Sequence, residues 1–504
     1  MTSTIRMPGR QAVAGRNASS ASVFERMAWP AVAGGAALAF GLLTLRLGNL
    51  DLRWVVYPMV GSVLVIVTML AGTDRALMAY TVVGLSVDAH YYLTTPLPTL
   101  STGLTSPGAV YVPLTLVPGT ILLVRQLMRV RAAANRFRWG AAVSRPFALM
   151  MATCLISIAL TDMRYTGICV VWQLLMLFAL FLVIANSVDS EADGRRIVAL
   201  LFVALLGQAL LFFVQLTTGI KFDAVGKVTV AQGTIWHGVT GTAASTTAGF
   251  ATFMDPLVML AFALYRAGDR RWGRVGRCIF PIGLTVVTLT LNRSSWGALV
   301  LGMVVTEWAL RRRRIVAPTP GSSRRFVIAG IVLLVVFALA APLFESARHA
   351  NNEEDFWLRI ALMGPAINMI KAHPIFGVGP GVYGYVLRQY AAGYQGWLYI
   401  AHNDYLLVWA ERGTVGFVAY VLLLRAMWGV FERSTRWPDR WWAAVACGFF
   451  GGFVAHLWEV FWTSSMSYPA YGVIWLMAGL CVAMDEVLRM PGRGATGALA
   501  PVTA

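Results

Sequence analysis

Long apolar runs broken by short polar connections set the pattern of this 504-residue chain. A hydrocarbon core about 30 Å thick takes roughly 20 apolar residues per crossing helix. That ruler yields fourteen segments, near residues 28–45, 54–72, 76–93, 109–124, 147–160, 165–186, 197–219, 248–266, 278–292, 294–310, 326–344, 413–430, 441–463 and 470–486. Lipid offers no partner to an open backbone N–H or C=O, so runs of this length are expected to be helices. The pattern predicts an all-α fold, a polytopic transmembrane helical bundle of about 12–14 helices. Its expected parts are an N-terminal tail (1–27), a bundle (28–344), a large loop containing short helices (345–412), C-terminal membrane helices (413–486) and a C-terminal tail (487–504).

Composition agrees with a bilayer environment. Hydrophobic residues make up 58% of the chain and charged residues only 13%, against about 25% charged in a soluble domain. The net charge of +18 does not imply nucleic acid, because the basic residues lie in short clusters between apolar runs rather than along one folded surface. Topology accounts for them. With the N-terminus inside and the segments alternating, 30 of the 41 Lys and Arg residues fall inside and 11 outside, the bias expected of cytoplasmic loops. Arg311 to Arg314 alone would hold one connection in the cytoplasm, and both termini are expected there. The first run follows Arg6, Arg10, Arg16 and Arg26 and has no small-residue cleavage site before Arg46, so it is expected to remain as a membrane anchor.

The five cysteines, Cys154, Cys169, Cys278, Cys447 and Cys481, fall in or beside apolar runs with no paired spacing, and read as small core residues rather than a metal or disulfide framework. Two outer stretches are long enough to carry function, Lys221 to Gly249 and Glu345 to about Arg412. The second opens on Glu345, Arg348, Glu353, Glu354 and Asp355 and carries Trp357, Tyr383, Tyr385, Tyr390, Tyr394, Trp397 and Tyr399. Such rings suit a membrane interface or the faces of sugars.

Within that stretch lies the string His402-Asn403-Asp404-Tyr405-Leu406-Leu407-Val408-Trp409-Ala410-Glu411-Arg412-Gly413. At about 100° per residue, His402, Leu406 and Gly413 share one side of a helix and Glu411 falls opposite. A short interfacial helix from His402 to Glu411, with Arg412-Gly413 turning into the next membrane helix, is therefore expected. Upstream, Arg359 is followed by Lys371, His373-Pro374 and the spaced glycines Gly377, Gly379 and Gly381. Those glycines permit a tight backbone path near a ligand or a helix end, and His373 reads as a loop residue packed beside Pro374. Between the ninth and tenth segments lies Leu291-Asn292-Arg293-Ser294-Ser295-Trp296-Gly297-Ala298.

Together the three strings resemble the O-antigen ligase and O-antigen/exopolysaccharide polymerase superfamily. The first matches every fixed position of its H-N-x-x-L-x-x-x-x-E-x-G signature. The second is similar to its R…P-x-x-G-x-G-P-G segment, and the third to its S-R-S/G-x-W-x-A hairpin, with Asn292 in place of the commoner Ser. The resemblance covers roughly residues 280–430 and implies a bacterial inner-membrane protein with residues 345–412 as a periplasmic catalytic loop. It implies an inverting glycosyltransferase that moves a glycan from a polyprenyl (undecaprenyl) diphosphate carrier onto an acceptor sugar hydroxyl. Arg293 and Arg359 would hold the diphosphate, because a guanidinium fork matches phosphate oxygens and keeps its charge. His402 would take the acceptor's proton.

Polymerisation of exopolysaccharide or O-antigen repeat units is the reading favoured; the alternatives are ligation of O-antigen to lipid A core in lipopolysaccharide and, from another class, a lipid-linked oligosaccharide flippase. The expected partners are the lipid-linked donor glycan, the acceptor glycan, membrane lipids and other polysaccharide assembly proteins. No cofactor is expected, and no metal, since the outer stretches carry no D-x-D and no cluster at metal-ligand spacing.

Polar residues inside apolar runs are costly and count as accessory candidates. His456 and Glu459 lie one turn apart and Asp88 lies near His90; each pair either lines the acceptor cavity or holds helices together. Arg164, on a short outer turn, is a candidate phosphate contact, and Glu411 is a further accessory candidate. Glu307 beside Arg311 reads as a structural ion pair.

Overall fold

A computed structural model describes residues 73–88, 90–94, 109–113, 115–133, 137–222, 228–230, 239, 241–244, 246–267, 271–316, 352–391, 400–464 and 467–489. The runs expected at 28–45, 54–72 and 326–344, and part of the 345–412 loop, lie outside these residues. The chain divides at Ala76, and the description that follows concerns the unit that begins at Leu77.

Thirteen helices account for most of the described residues. In chain order they are α1 (Thr73–Gly84), α2 (Leu116–Ala133), α3 (Ala141–Leu160), α4 (Arg164–Ser187), α5 (Glu191–Thr218), α6 (Thr247–Ala267), α7 (Trp272–Leu289) and α8 (Arg293–Arg312). After the gap follow α9 (Asn352–Ala372), α10 (Tyr383–Tyr390), α11 (Asp404–Ser434), α12 (Arg440–Trp462) and α13 (Tyr468–Arg489). Seven of them, α3 to α6 and α11 to α13, are long and apolar enough to cross a bilayer. The chain is an all-α polytopic membrane bundle.

Caps explain several boundaries. Ser190 accepts the N–H of Asp193 at the start of α5, where Glu191 and Asp193 also suit the positive end of the helix dipole. Asp439 accepts the N–H of Trp442 at 2.8 Å to open α12. At the far end of α5, Gly219 takes φ 70° and returns its N–H to Gln215, a left-handed stop.

Two expected segments differ. The run at 76–93 is not one helix: α1 ends at Gly84, the N–H groups of Ser86 and Val87 turn back to Val83 and Gly84, and the N–H of Asp88 donates to Thr242 at 2.8 Å. His90–Tyr92 then forms strand β1, paired antiparallel with β2 (Tyr111–Pro113), His90 opposite Pro113. The polar Ser86 and Asp88 break the helical run, and the short strands satisfy the backbone that follows. Asp88 and His90 thus lie beyond the helix rather than on its outer end. The run at 109–124 likewise begins as β2, and α2 starts only at Leu116. A second antiparallel pair, β3 (Ile220–Phe222) with β4 (Val228–Val230), follows α5.

The core centres on α6 and α12, which are buried on nearly every face. Glycine lets them meet: a Cβ on Gly448 would stand 2.8 Å from Leu260 Cα, and one on Gly452 2.8 Å from Pro256 Cα. Small residues at a helix crossing are how membrane helices gain van der Waals contact. Away from this axis, Phe147 of α3 stacks on Phe178 of α4 at 4.3 Å, with Trp475 of α13 edge-on to both. Four of the five cysteines are buried; Cys278 is exposed on α7, which corrects its reading as a core residue.

One end of the bundle is rich in arginine. Glu307 of α8 receives Arg311 at 2.7 Å and both nitrogens of the Arg266 fork at 2.9 Å. Arg266, at the end of α6, makes the expected pair a triad. Nearby, Arg440 caps backbone carbonyls at Ile315 and Ala267, and Arg313 donates to Thr435.

Candidate active site

The opposite ends of α8 and α12, with the start of α11, hold the motif residues. In the longest string each fixed position has its own local task. Asn403 caps α11 by accepting the N–H of Leu406 at 2.9 Å through Oδ1, which sets His402 just ahead of the first turn. Leu406 packs against a small cluster from α9, α10 and α11 that includes Ala366, Met369, Tyr383 and Leu387. Glu411 is buried, and its Oε1 lies 3.4 Å from the N–H of Tyr383, which donates to it at the first residue of α10; the N–H of Gly381 donates to the same carboxylate.

At Gly413 (φ 62°, ψ −172°) the helix breaks. The N–H groups of Thr414 and Val415 there turn to the carbonyls of Pro374 and Ile375, at 2.8 and 3.2 Å. α11 thus runs through the position expected for a boundary between loop and membrane helix: residues 404–412 form its first arm and 414–434 its second.

The glycine loop braces this break. Gly377, Gly379 and Gly381 have φ of 71°, 115° and 71°, values that favour glycine. The N–H groups of Val378 and Gly379 donate to the carbonyls of Ala410 and Glu411, at 3.0 and 2.9 Å, which the break would otherwise leave open. From α3, Ser157 donates to the carbonyl of Phe376 at 2.7 Å, and Thr161, just past the end of α3, donates to that of Val378 at 3.1 Å. His373, at the edge of the loop, hydrogen-bonds Tyr390 at 2.7 Å.

His402 is partly buried at the entrance of α11. Burial, and then the positive charge of Arg359, lower its pKa to about 4, so at neutral pH the imidazole is uncharged. Arg359, half-buried on α9, donates from Nη1 to the carbonyl of Trp462 at 3.2 Å. That carbonyl closes α12, and a guanidinium suits the negative end of the helix. Arg359 also interacts electrostatically with Glu459 of α12, so its charge reaches both the imidazole and the carboxyl.

The third motif meets the same end of α12. Ser294 Oγ stands 2.9 Å from Glu459 Oε2 and 3.0 Å from Asn292 Oδ1, and Trp458 donates from Nε1 to the Ser294 carbonyl at 3.0 Å. A Cβ on Gly297 would stand 2.6 Å from Trp458 Nε1, so glycine allows the approach. Arg293, exposed, is the first residue of α8 on this turn. Arg359 and His402 are thus within electrostatic reach of each other, and the Arg293 turn rests on the same last turn of α12.

The accessory candidates separate. Glu459 bonds the Ser294 turn, whereas His456, one turn away, lies edge-on to Tyr471 at 5.1 Å and lines a cavity. Glu411 acts on backbone, as the caps above describe. Arg164 is exposed at the start of α4, and Asp88 is tied to Thr242 through its backbone. Three buried charged residues escaped the sequence reading: Asp255 of α6, wholly buried beside Glu459, and Asp404 and Arg412 of α11. Asp255 was visible as an acid inside an apolar run, but the burial of Asp404 and Arg412 shows only once α11 is packed against its neighbours. Among the described residues no three His, Cys, Asp or Glu side chains gather as a metal site would require.

Residues 278–421 match the family model described as O-Antigen ligase. The match begins within α7 and ends within α11, and so contains all three motifs with Arg293, Arg359, His402, Glu411 and Gly413. No curated protein matches the chain.

Proposed function

We propose that this protein transfers a glycan from a polyprenyl-diphosphate carrier to an acceptor sugar hydroxyl. The observation that carries the reading is the neighbourhood of Arg359 and His402: a permanent cation beside an imidazole held neutral. The match to the O-antigen ligase family supports transfer of this general kind.

In the step proposed, the acceptor oxygen attacks the anomeric carbon and its proton passes to His402. The bond from that carbon to the carrier's phosphate oxygen breaks on the opposite face, and polyprenyl diphosphate leaves with the bonding pair. The new linkage is inverted. Charge grows on the diphosphate as the bond breaks, and the guanidinium groups of Arg359 and Arg293 would bind it more strongly there than in the ground state. The diphosphate linkage supplies the driving force, so the reading needs no nucleotide and no metal.

The reading sets the site on the periplasmic side of a bacterial inner membrane. The arginine-rich end around Glu307, which carries the connection after α8, would face the cytoplasm. The product favoured is a polymer of exopolysaccharide or O-antigen repeat units, with ligation to lipid A core as the second possibility. Deleting the gene and analysing surface glycans separates the two: single repeat units on lipid A mark a lost polymerase, and undecorated lipid A with intact free polymer marks a lost ligase. Unchanged surface glycans together with full activity of a His402→Ala protein would refute glycan transfer at this site.

A further inference from the structure

A pocket of about 930 Å³, part of it open to the surroundings, lies between α3, α4, α11, α12 and α13. Its wall on α11 is Tyr420, Leu423, Leu424 and Met427, spaced i, i+3, i+4 and i+7, a single helix face about 10 Å long. Leu174 and Leu177 of α4 stand among the residues that complete it. The shaft is hydrocarbon-lined for most of its length.

The lining also includes Asp404, Arg412 and His456, each 4% exposed. Asp404 Oδ1, Arg412 Nε and His456 Nδ1 are buried without a hydrogen-bond partner among the described residues. Buried polar atoms are nearly always paired, so three that are not, around one cavity, call for an occupant. Its chemistry follows from theirs. Asp404 Oδ1 is an oxygen that can accept and Arg412 Nε only donates. An ammonium head would be repelled by Arg412, and a carboxylate or phosphate head has no proton to give the Asp404 oxygen. A hydroxyl donates to the first and accepts from the second, and the apolar wall fits the chain that such a head would carry.

We propose that this cavity binds a lipid with a neutral hydroxyl head, which pairs with Asp404, Arg412 and His456 while its hydrocarbon chain fills the shaft between α4 and α11. The site does not depend on the glycan-transfer reading, and its test reads binding rather than activity.

The test uses the full-length protein in nanodiscs and a C18 alcohol carrying a chain diazirine, with labelled peptides mapped by mass spectrometry. Saturable labelling of the 420–427 or 468–475 peptides is expected. Oleyl alcohol should compete at least about tenfold better than oleate or oleylamine, and glycerol should not compete. Leu423→Trp and Leu174→Trp fill the shaft from opposite walls, and each, if folded by size-exclusion profile, should abolish the saturable labelling. Asp404→Asn should improve competition by oleate, because the amide offers the head a donor where the carboxyl oxygen offered an acceptor. Labelling that never saturates, or that survives both tryptophan variants, would overturn the site. Equal competition by oleate and oleyl alcohol would overturn the assignment of a neutral head.

Discussion

Gly413 lies so close to Ile375 that a Cβ on the glycine would overlap the isoleucine's carbonyl oxygen. The glycine also holds φ 62°, where an L side chain costs about 1–2 kcal/mol before any clash. Gly413→Ala is therefore expected to destabilise the protein by at least about 2 kcal/mol and to displace the first arm of α11 that carries His402. A melting curve of the purified protein together with a transfer assay checks this. An unchanged melting temperature with full activity would show that the break is not needed.

His402 gives the pH dependence its sign. The neutral imidazole is the base, and protonation removes it. Burial and Arg359 put that protonation at about 4, well below the ordinary value near 6.5. kcat/KM should therefore stay level from pH 8 to about pH 5 and fall only as pH drops through about 4. In Arg359→Met, removal of the neighbouring cation lets the ring protonate more easily, so the fall in residual activity should begin at higher pH. A wild-type profile that already falls near 6.5 would contradict this environment for the ring.

Charge alone is not expected to suffice at the two arginines. Lysine keeps the charge but loses the planar fork that pairs two phosphate oxygens. Arg359→Lys and Arg293→Lys should each cost on the order of 10²-fold in turnover, comparable to losing one donor from a preorganised anion site. Single-turnover transfer from a synthetic lipid-linked donor would measure it. Wild-type rates in both variants would exclude bidentate contact with the diphosphate.

Glu411 should behave as a structural residue. Its Oε1 accepts the N–H of Tyr383, and glutamine can still offer an amide oxygen there. Glu411→Gln should keep most activity and stability, whereas Glu411→Ala leaves buried N–H groups open and should lose about 1–3 kcal/mol. If glutamine were as harmful as alanine in turnover while the melting temperature held, the carboxyl would have a chemical role.

The sequence by itself determined that the chain is a bundle of membrane helices, because apolar length and the absence of backbone partners in lipid leave no other structure for such runs. It also exposed the motif positions, since Arg293, Arg359, His402, Glu411 and Gly413 stand in fixed spacing within each string. What no spacing reveals is which side chains meet across the bundle. Glu411 and His402 share one string, yet Glu411 holds the start of α10 while His402 lies within reach of Arg359 on α9.

His456 and Glu459 look like a pair one turn apart, but what packs around α12 gives them different neighbours: a cavity for one, the Ser294 turn for the other. Asp404 stands in an expected interfacial helix and Arg412 in an expected turn, and only the packing of α11 against its neighbours buries them. Local periodicity determines elements, whereas burial and electrostatic neighbourhood arise from contacts between residues far apart in the chain. Tertiary packing alone decided those contacts.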